Sequence, residues 1–153
     1  MGKKSKVTEH VEIQHAYIKK DLEILKNEII KDVAAEDFRE WKLAYMWQLR
    51  DFRNTLTKHF DYEEESGFMS EIINEAPENL KTATQLRHEH EDIVQTLDKI
   101  LLEIKSMDQL DHVRMDNIRE GLTHFIATIH NHETAENELI QRVYCQEYGY
   151  PSS

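Results

Sequence analysis

The sequence predicts an all-α protein, an up-down-up-down antiparallel four-helix bundle, and three observations carry that expectation. Its 153 residues include only four Gly and two Pro, well under the roughly 7% and 5% of an ordinary chain. Turns are made largely from those residues, so the elements must be few and long. Apolar residues recur at gaps of three, four or seven over four long stretches, the period of an amphipathic helix. The pattern of one helical hairpin also recurs in the second half of the chain.

The elements follow in order. Val7, Val11, Ile18, Leu22, Leu25 and Ile29 mark a first helix over about 8–32. Phe38, Trp41, Tyr45, Leu49, Phe52 and Leu56 mark a second over about 37–65, which fades at Gly67, a residue suited to the left-handed turn that ends helices. Trp41, Tyr45 and Trp47 lie close together on it and read as core. Pro77 suits the opening turn of a third helix over about 78–105, where a missing N–H costs nothing. Its stripe is Leu80, Leu86, Ile93, Leu97, Ile100 and Ile104. Asp108 or Asp111 can cap a fourth over about 110–147, carried by Met115, Ile118, Leu122, Phe125, Ile129, Leu139, Ile140 and Val143 until Gly149 and Pro151 end it. Short connections between long helices make antiparallel neighbours. One domain over 1–153 is expected.

The repeat is specific. His15, Ile18, Leu22, Leu25 on the first helix match His90, Ile93, Leu97, Ile100 on the third at the same offsets. Leu49, Phe52, Leu56, His59, Glu63 on the second match Leu122, Phe125, Ile129, His132, Glu136 on the fourth. The matching parts are the apolar stripe and the His and Glu positions upon it.

Nineteen Lys and Arg against thirty Asp and Glu leave a formal net charge of −11. A surplus of that size repels phosphate backbones and anionic lipid, so neither nucleic acid nor membrane is an expected partner. With 39% hydrophobic residues the chain is too apolar to be disordered by composition. No apolar run of signal-peptide length follows the basic start MGKKSKVTEHVEIQH, and no stretch approaches the length of a membrane span. A cytoplasmic location is the expectation, with a monomer as the default because the sequence does not fix the oligomeric state. Cys145 is the single cysteine. No intramolecular disulfide or thiol-rich metal site can form, and any metal must be held by His and carboxylates.

Residues four apart on a helix lie about 40° apart on its cylinder. His59 shares a face with Glu63, and His132 with Glu136. Phe52 and Leu56 fall about 20° and 60° from His59, so these pairs sit on the buried stripe. An uncompensated carboxylate there is costly, and no Lys or Arg occupies either stripe nearby, which leaves a metal ion as the missing charge. In an antiparallel bundle His15 and His90, early in their helices, reach the same level as His59 and His132, late in theirs. The other five histidines miss this face: His88, His130, His112 and His10 point well away, and His124 falls near a rim. Glu64 and Glu133 lie beside the ligand positions, suited to support. Four imidazoles and two carboxylates that can bridge suit two ions, with coordination positions left open. Phe52, Leu56, Phe125 and Ile129 would keep bulk water from them.

From about Glu9 to Gly149 this pattern resembles the hemerythrin superfamily, also named after its His-His-Glu cation-binding motifs. The resemblance is carried by His15, by HFDYEEESGF from His59 to Phe68, by RHEH ending at His90, and by NHETAENELI from Asn131 to Ile140. It implies a four-helix bundle with a non-haem di-iron centre, bridged by carboxylates and by a solvent-derived oxo or hydroxo group. His15, His59, His90 and His132 would be terminal ligands, and Glu63 and Glu136 the bridges. The oxygen-carrying members have a second His four residues from the one in the third helix, where Leu86 and Val94 stand here, and an Asp five residues after the last ligand His, where Asn137 stands. The four-His, two-Glu set is more like bacterial hemerythrin-like proteins linked to oxygen, nitric oxide or iron handling. The resemblance therefore implies binding of oxygen or nitric oxide; its alternatives are a di-iron enzyme acting on peroxide or nitric oxide, and an iron donor or repair protein.

Overall fold

The computed structural model describes residues 4–146, which are all-helical and contain no strand. Five helices pack together: α1 (Lys6–Ile29), α2 (Phe38–Glu65), α3 (Phe68–Glu75), α4 (Leu80–Lys105) and α5 (His112–Gln146). Each of α1 and α4 packs against both α2 and α5. No helix among the described residues is long and apolar enough to cross a membrane.

Local chemistry sets the ends. Ser5 Oγ accepts from Thr8 N–H at 3.1 Å and caps α1, and Asp111 Oδ1 accepts from Arg114 N–H at 3.1 Å before α5. Short 3₁₀ turns, Ala35–Asp37 and Pro77–Asn79, lead into α2 and α4. Two cations close the C-terminal ends, where unsatisfied carbonyls carry partial negative charge. Arg119 donates to Ile29 O at 2.8 Å and Lys31 O at 3.1 Å beyond α1, and Lys42 donates to Lys105 O and Met107 O, each at 2.8 Å, beyond α4. Tyr45 donates to Leu25 O at 2.8 Å. These contacts set the openings of α2 and α5 beside the closing turns of α1 and α4.

The fifth helix is a correction. Residues 66–77 were expected to be a connection, yet Phe68–Glu75 is helical. The run is too short for helical periodicity to register, and its apolar residues Phe68, Met69 and Ile72 are buried against α2, α4 and α5. Gly67 makes the break at φ +92°, the left-handed conformation that L side chains resist. α1 also stops at Ile29, short of 32, and the following Ile30 is exposed. Leu80 and Trp47, counted with the core, are exposed; Tyr45 is buried, and Trp41 stacks on it at 5.1 Å between ring centroids. The expected end of the last helix at Gly149 and Pro151 lies outside the described residues.

The core is divided in two. The larger part runs from Ile18, Phe52, Leu56, Phe60, Ile93 and Ile129 toward the Tyr45 end. The smaller joins Val11, Leu86, Leu139 and Ile140 to the face of α3. Along α1 the order is Val11, His15, Ile18; along α4 it is Leu86, His90, Ile93; along α5 it is Ile129, His132, Glu136, Leu139. A polar layer separates two apolar ones. With α3, the smaller part of the core covers the side of the layer away from the larger part, so the layer lies inside the protein.

Candidate metal centre

His15, His59, Glu63, His90, His132 and Glu136 meet in that layer, and all six are buried. Their ligand atoms fall into two sets, each within 4.8 Å: His15, His59, Glu63 and Glu136 in one, Glu63, His90, His132 and Glu136 in the other. Both carboxylates belong to both sets. Glu63 turns Oε2 toward His15 and His59 Nε2, at 3.6 and 3.4 Å, and Oε1 toward His90 Nε2 at 3.1 Å. Glu136 turns Oε1 toward His15 Nε2 at 2.9 Å and Oε2 toward His132 and His90 Nε2, at 3.4 and 3.8 Å. Each carboxylate thus divides its oxygens between the sets, the disposition of a bridge. The imidazoles pair accordingly, His15 edge-on to His59 at 5.1 Å and His90 edge-on to His132 at 5.0 Å.

Nε2 of His59, His90 and His132, both oxygens of Glu63 and Oε2 of Glu136 are buried without a hydrogen-bond partner. Apart from the bond of His15 to Glu136, the contacts are too long or too oblique to count. Buried polar atoms are rarely left so, because each forfeits its hydration. A concentration of orphaned imidazole nitrogens and carboxylate oxygens facing one another is a donor set that could hold a metal ion, and the residues fit that group. Imidazole and carboxylate suit iron and manganese.

The outer nitrogens carry the second half of the design. His59 Nδ1 meets Gln14 Oε1 at 2.7 Å, His132 Nδ1 meets Glu89 Oε1 at 2.8 Å, His90 Nδ1 meets Glu64 Oε2 at 2.9 Å, and His15 Nδ1 meets Asn137 Oδ1 at 3.0 Å. An ionised carboxylate only accepts, so Nδ1 of His90 and His132 donates. With amide oxygens facing them, His59 and His15 take the same tautomer. Held neutral in this tautomer, each ring would turn an Nε2 lone pair to the interior, although in the metal-free protein His15 Nε2 instead donates a proton to Glu136 Oε1 at 2.9 Å.

In the metal-free protein, protons hold part of the charge balance. Burial opposes a charged His15, but Glu136 and Glu63 outweigh it and raise its pKa to about 11. The same contest raises His90 to about 10. Burial and the neighbouring His15 cation lower His59 to about 3. Burial and the charge of Glu136 raise Glu63, whereas Glu136 itself is held well below the carboxylate range because His132, His15 and His90 overcome its burial. Burial raises Glu133 to about 7; its Oε2 has no hydrogen-bond partner.

These shifts fix two signs. His15 and His90 bind protons more tightly folded than unfolded, so the stability they contribute is complete below the unfolded value of 6.5 and is lost as pH rises through about 10 to 11. Metal must displace those protons. Adding Mn(II) to metal-free protein in weak buffer at pH 7 is expected to release at least two protons per chain, read with an indicator dye, and the affinity to rise with pH. Uptake without proton release would show that neither ring is a ligand.

Five histidines stay out of the layer: His10, His88, His112 and His124 are exposed and His130 is half-buried. Glu64 supports His90 from the outside, and Glu133 is buried beside the layer but belongs to neither set. Sequence reasoning missed Gln14, Glu89 and Phe60. Phe60 stacks on the His90 ring at 3.9 Å and stands edge-on to His132 at 5.7 Å. Gln14 and Glu89 precede His15 and His90, and Glu64 and Asn137 follow Glu63 and Glu136. That flanking repeat was the available signal. A groove of about 640 Å³ between α2 and α4 reaches Phe60, Glu64, Arg87 and His90, and one of about 300 Å³ between α4 and α5 reaches Glu89 and His132. No family model, curated protein sequence or solved structure matches the chain.

Proposed function

We propose that this chain is a hemerythrin-like, non-haem di-iron protein: one up-down-up-down bundle domain that binds a small diatomic ligand, oxygen or nitric oxide, at a four-His, two-Glu centre. One observation carries the reading: two buried donor sets share both carboxylates. Two irons held there would supply redox-active ions with coordination positions that the six side chains leave open. His15 and His59 would hold one and His90 and His132 the other, with Glu63 and Glu136 across both. The outer acceptors orient the imidazoles, while Phe52, Leu56, Phe125 and Ile129 are buried and Phe60 lies against His90. These apolar groups would keep bulk water from the ions.

The test is iron content together with the optical spectrum of anaerobically prepared protein, before and after adding oxygen or nitric oxide. Two irons per chain and a spectrum that changes and then persists support the reading. Turnover of excess peroxide or nitric oxide would make the chain an enzyme, and transfer of iron to an apo-acceptor would make it a donor. Less than one iron per chain after reconstitution, unchanged by His59→Ala or Glu136→Gln, would overturn it.

A further inference from the structure

The four outer acceptors follow the repeat in position but not in charge. Gln14 of α1 supports His59 of α2, and at the matching place Glu89 of α4 supports His132 of α5. Asn137 of α5 supports His15 of α1, and at the matching place Glu64 of α2 supports His90 of α4. One half of the site therefore has two neutral amides behind its imidazoles and the other has two carboxylates. The ligand sets are otherwise alike, each with two histidines and the shared pair Glu63 and Glu136.

Resting on the di-metal reading above, we infer that the two metal positions are inequivalent by construction: the His90/His132 position binds a divalent ion more tightly and fills first, because carboxylates rather than amides accept from its imidazoles. An imidazole whose Nδ1–H donates to a carboxylate gains imidazolate character, and its Nε2 becomes the stronger donor. The two anionic groups also lower the potential felt by a cation at that position, and an amide contributes only a dipole. Both effects act in the same direction. Replacing an outer partner of a ligating imidazole typically changes metal affinity by about 10- to 100-fold.

Glu64 and Glu89 are unequal probes. Glu64 lies 3.5 Å from Arg87 Nε, which offsets part of its charge, whereas Glu89 faces the His132 ring on a partly exposed side chain. Glu89→Gln removes the charge at little risk to packing, and Gln14→Glu introduces the same charge at the equivalent place in the other half. The two exchange the supports of His132 and His59 while leaving all six ligands in position.

The experiment is anaerobic titration of metal-free protein with Co(II), followed by calorimetry and by the visible ligand-field bands, with circular dichroism to confirm helix content. Two steps separated by at least about tenfold are expected. Glu89→Gln should weaken the tighter step about tenfold and leave the weaker in place; Gln14→Glu should tighten the weaker step; the double variant should close or reverse the gap. His132→Ala should remove the tighter step and His59→Ala the weaker. Two steps of equal affinity, or a Glu89→Gln loss confined to the weaker step, would overturn the inference and leave the di-metal reading standing. No cobalt bound by a fully helical protein would overturn both.

Discussion

Glu136→Gln is expected to reduce metal binding to at most one ion per chain and to weaken what remains by a factor of about a hundred or more. Glu136 contributes an oxygen to each donor set, and among the described residues it alone makes a hydrogen bond to an inner imidazole nitrogen, at 2.9 Å from His15 Nε2. The amide keeps the volume and removes the charge, and its NH₂ group points a donor where a metal or a protonated ring belongs. The metal-free protein should suffer as well. Removing one member of a buried ionic cluster costs about 3 to 5 kcal/mol, because the remaining charges lose their partner. His15 and His90, raised to about 11 and about 10 by carboxylates that include Glu136, would hold their protons less tightly. Metal analysis and urea unfolding of chelated protein read the two effects separately. A variant that still holds two ions at unaltered affinity would sink the bridging role of Glu136.

Phe125→Ala is expected to cost about 3 to 5 kcal/mol of stability, the range for a large aromatic truncated in a packed interior. Phe125 is wholly buried and meets Phe52 edge-on, with ring centroids 6.4 Å apart and planes at 88°. It lies about two helical turns before His132, in the larger part of the core. The loss should appear in urea or thermal unfolding whether or not metal is present. A change below about 1 kcal/mol would show that this layer is not packed around Phe125.

Much of this arrangement was legible in the sequence because it rests on strong periodicity. The four long stripes span many turns, so the helices they mark reappear, with every end that lies within the described residues displaced by only a few residues. His15, His59, His90 and His132 could be brought to one level because each lies on an apolar stripe with a counterpart in the repeat. What could not be read belongs to contacts between helices. α3 is only two turns long, and its burial depends on surfaces supplied by α2, α4 and α5. Leu80 has the spacing of a stripe and Trp47 the composition of core, but both are exposed because no neighbouring helix covers them. Gln14 and Glu89 look like ordinary polar residues on a solvated face until the facing imidazole is known. Phe60 falls a full 100° step from His59 on its own helix, yet α4 and α5 bring His90 and His132 against its ring.

The polar layer between the two parts of the core also acts on alignment. A bundle held by leucine and isoleucine alone can slide one helix past another by a turn, about 5.4 Å, and bury nearly the same apolar area. Here such a slide of α1 would set Val11 against Glu63 and Glu136 and carry His15 into the leucines and isoleucines beyond, stranding two carboxylates and an imidazole at once. Stranded buried charges cost far more than a misplaced methyl group. The same six side chains that could hold a metal thus work as a vernier, reading whether the helices are in step and penalising every setting but one.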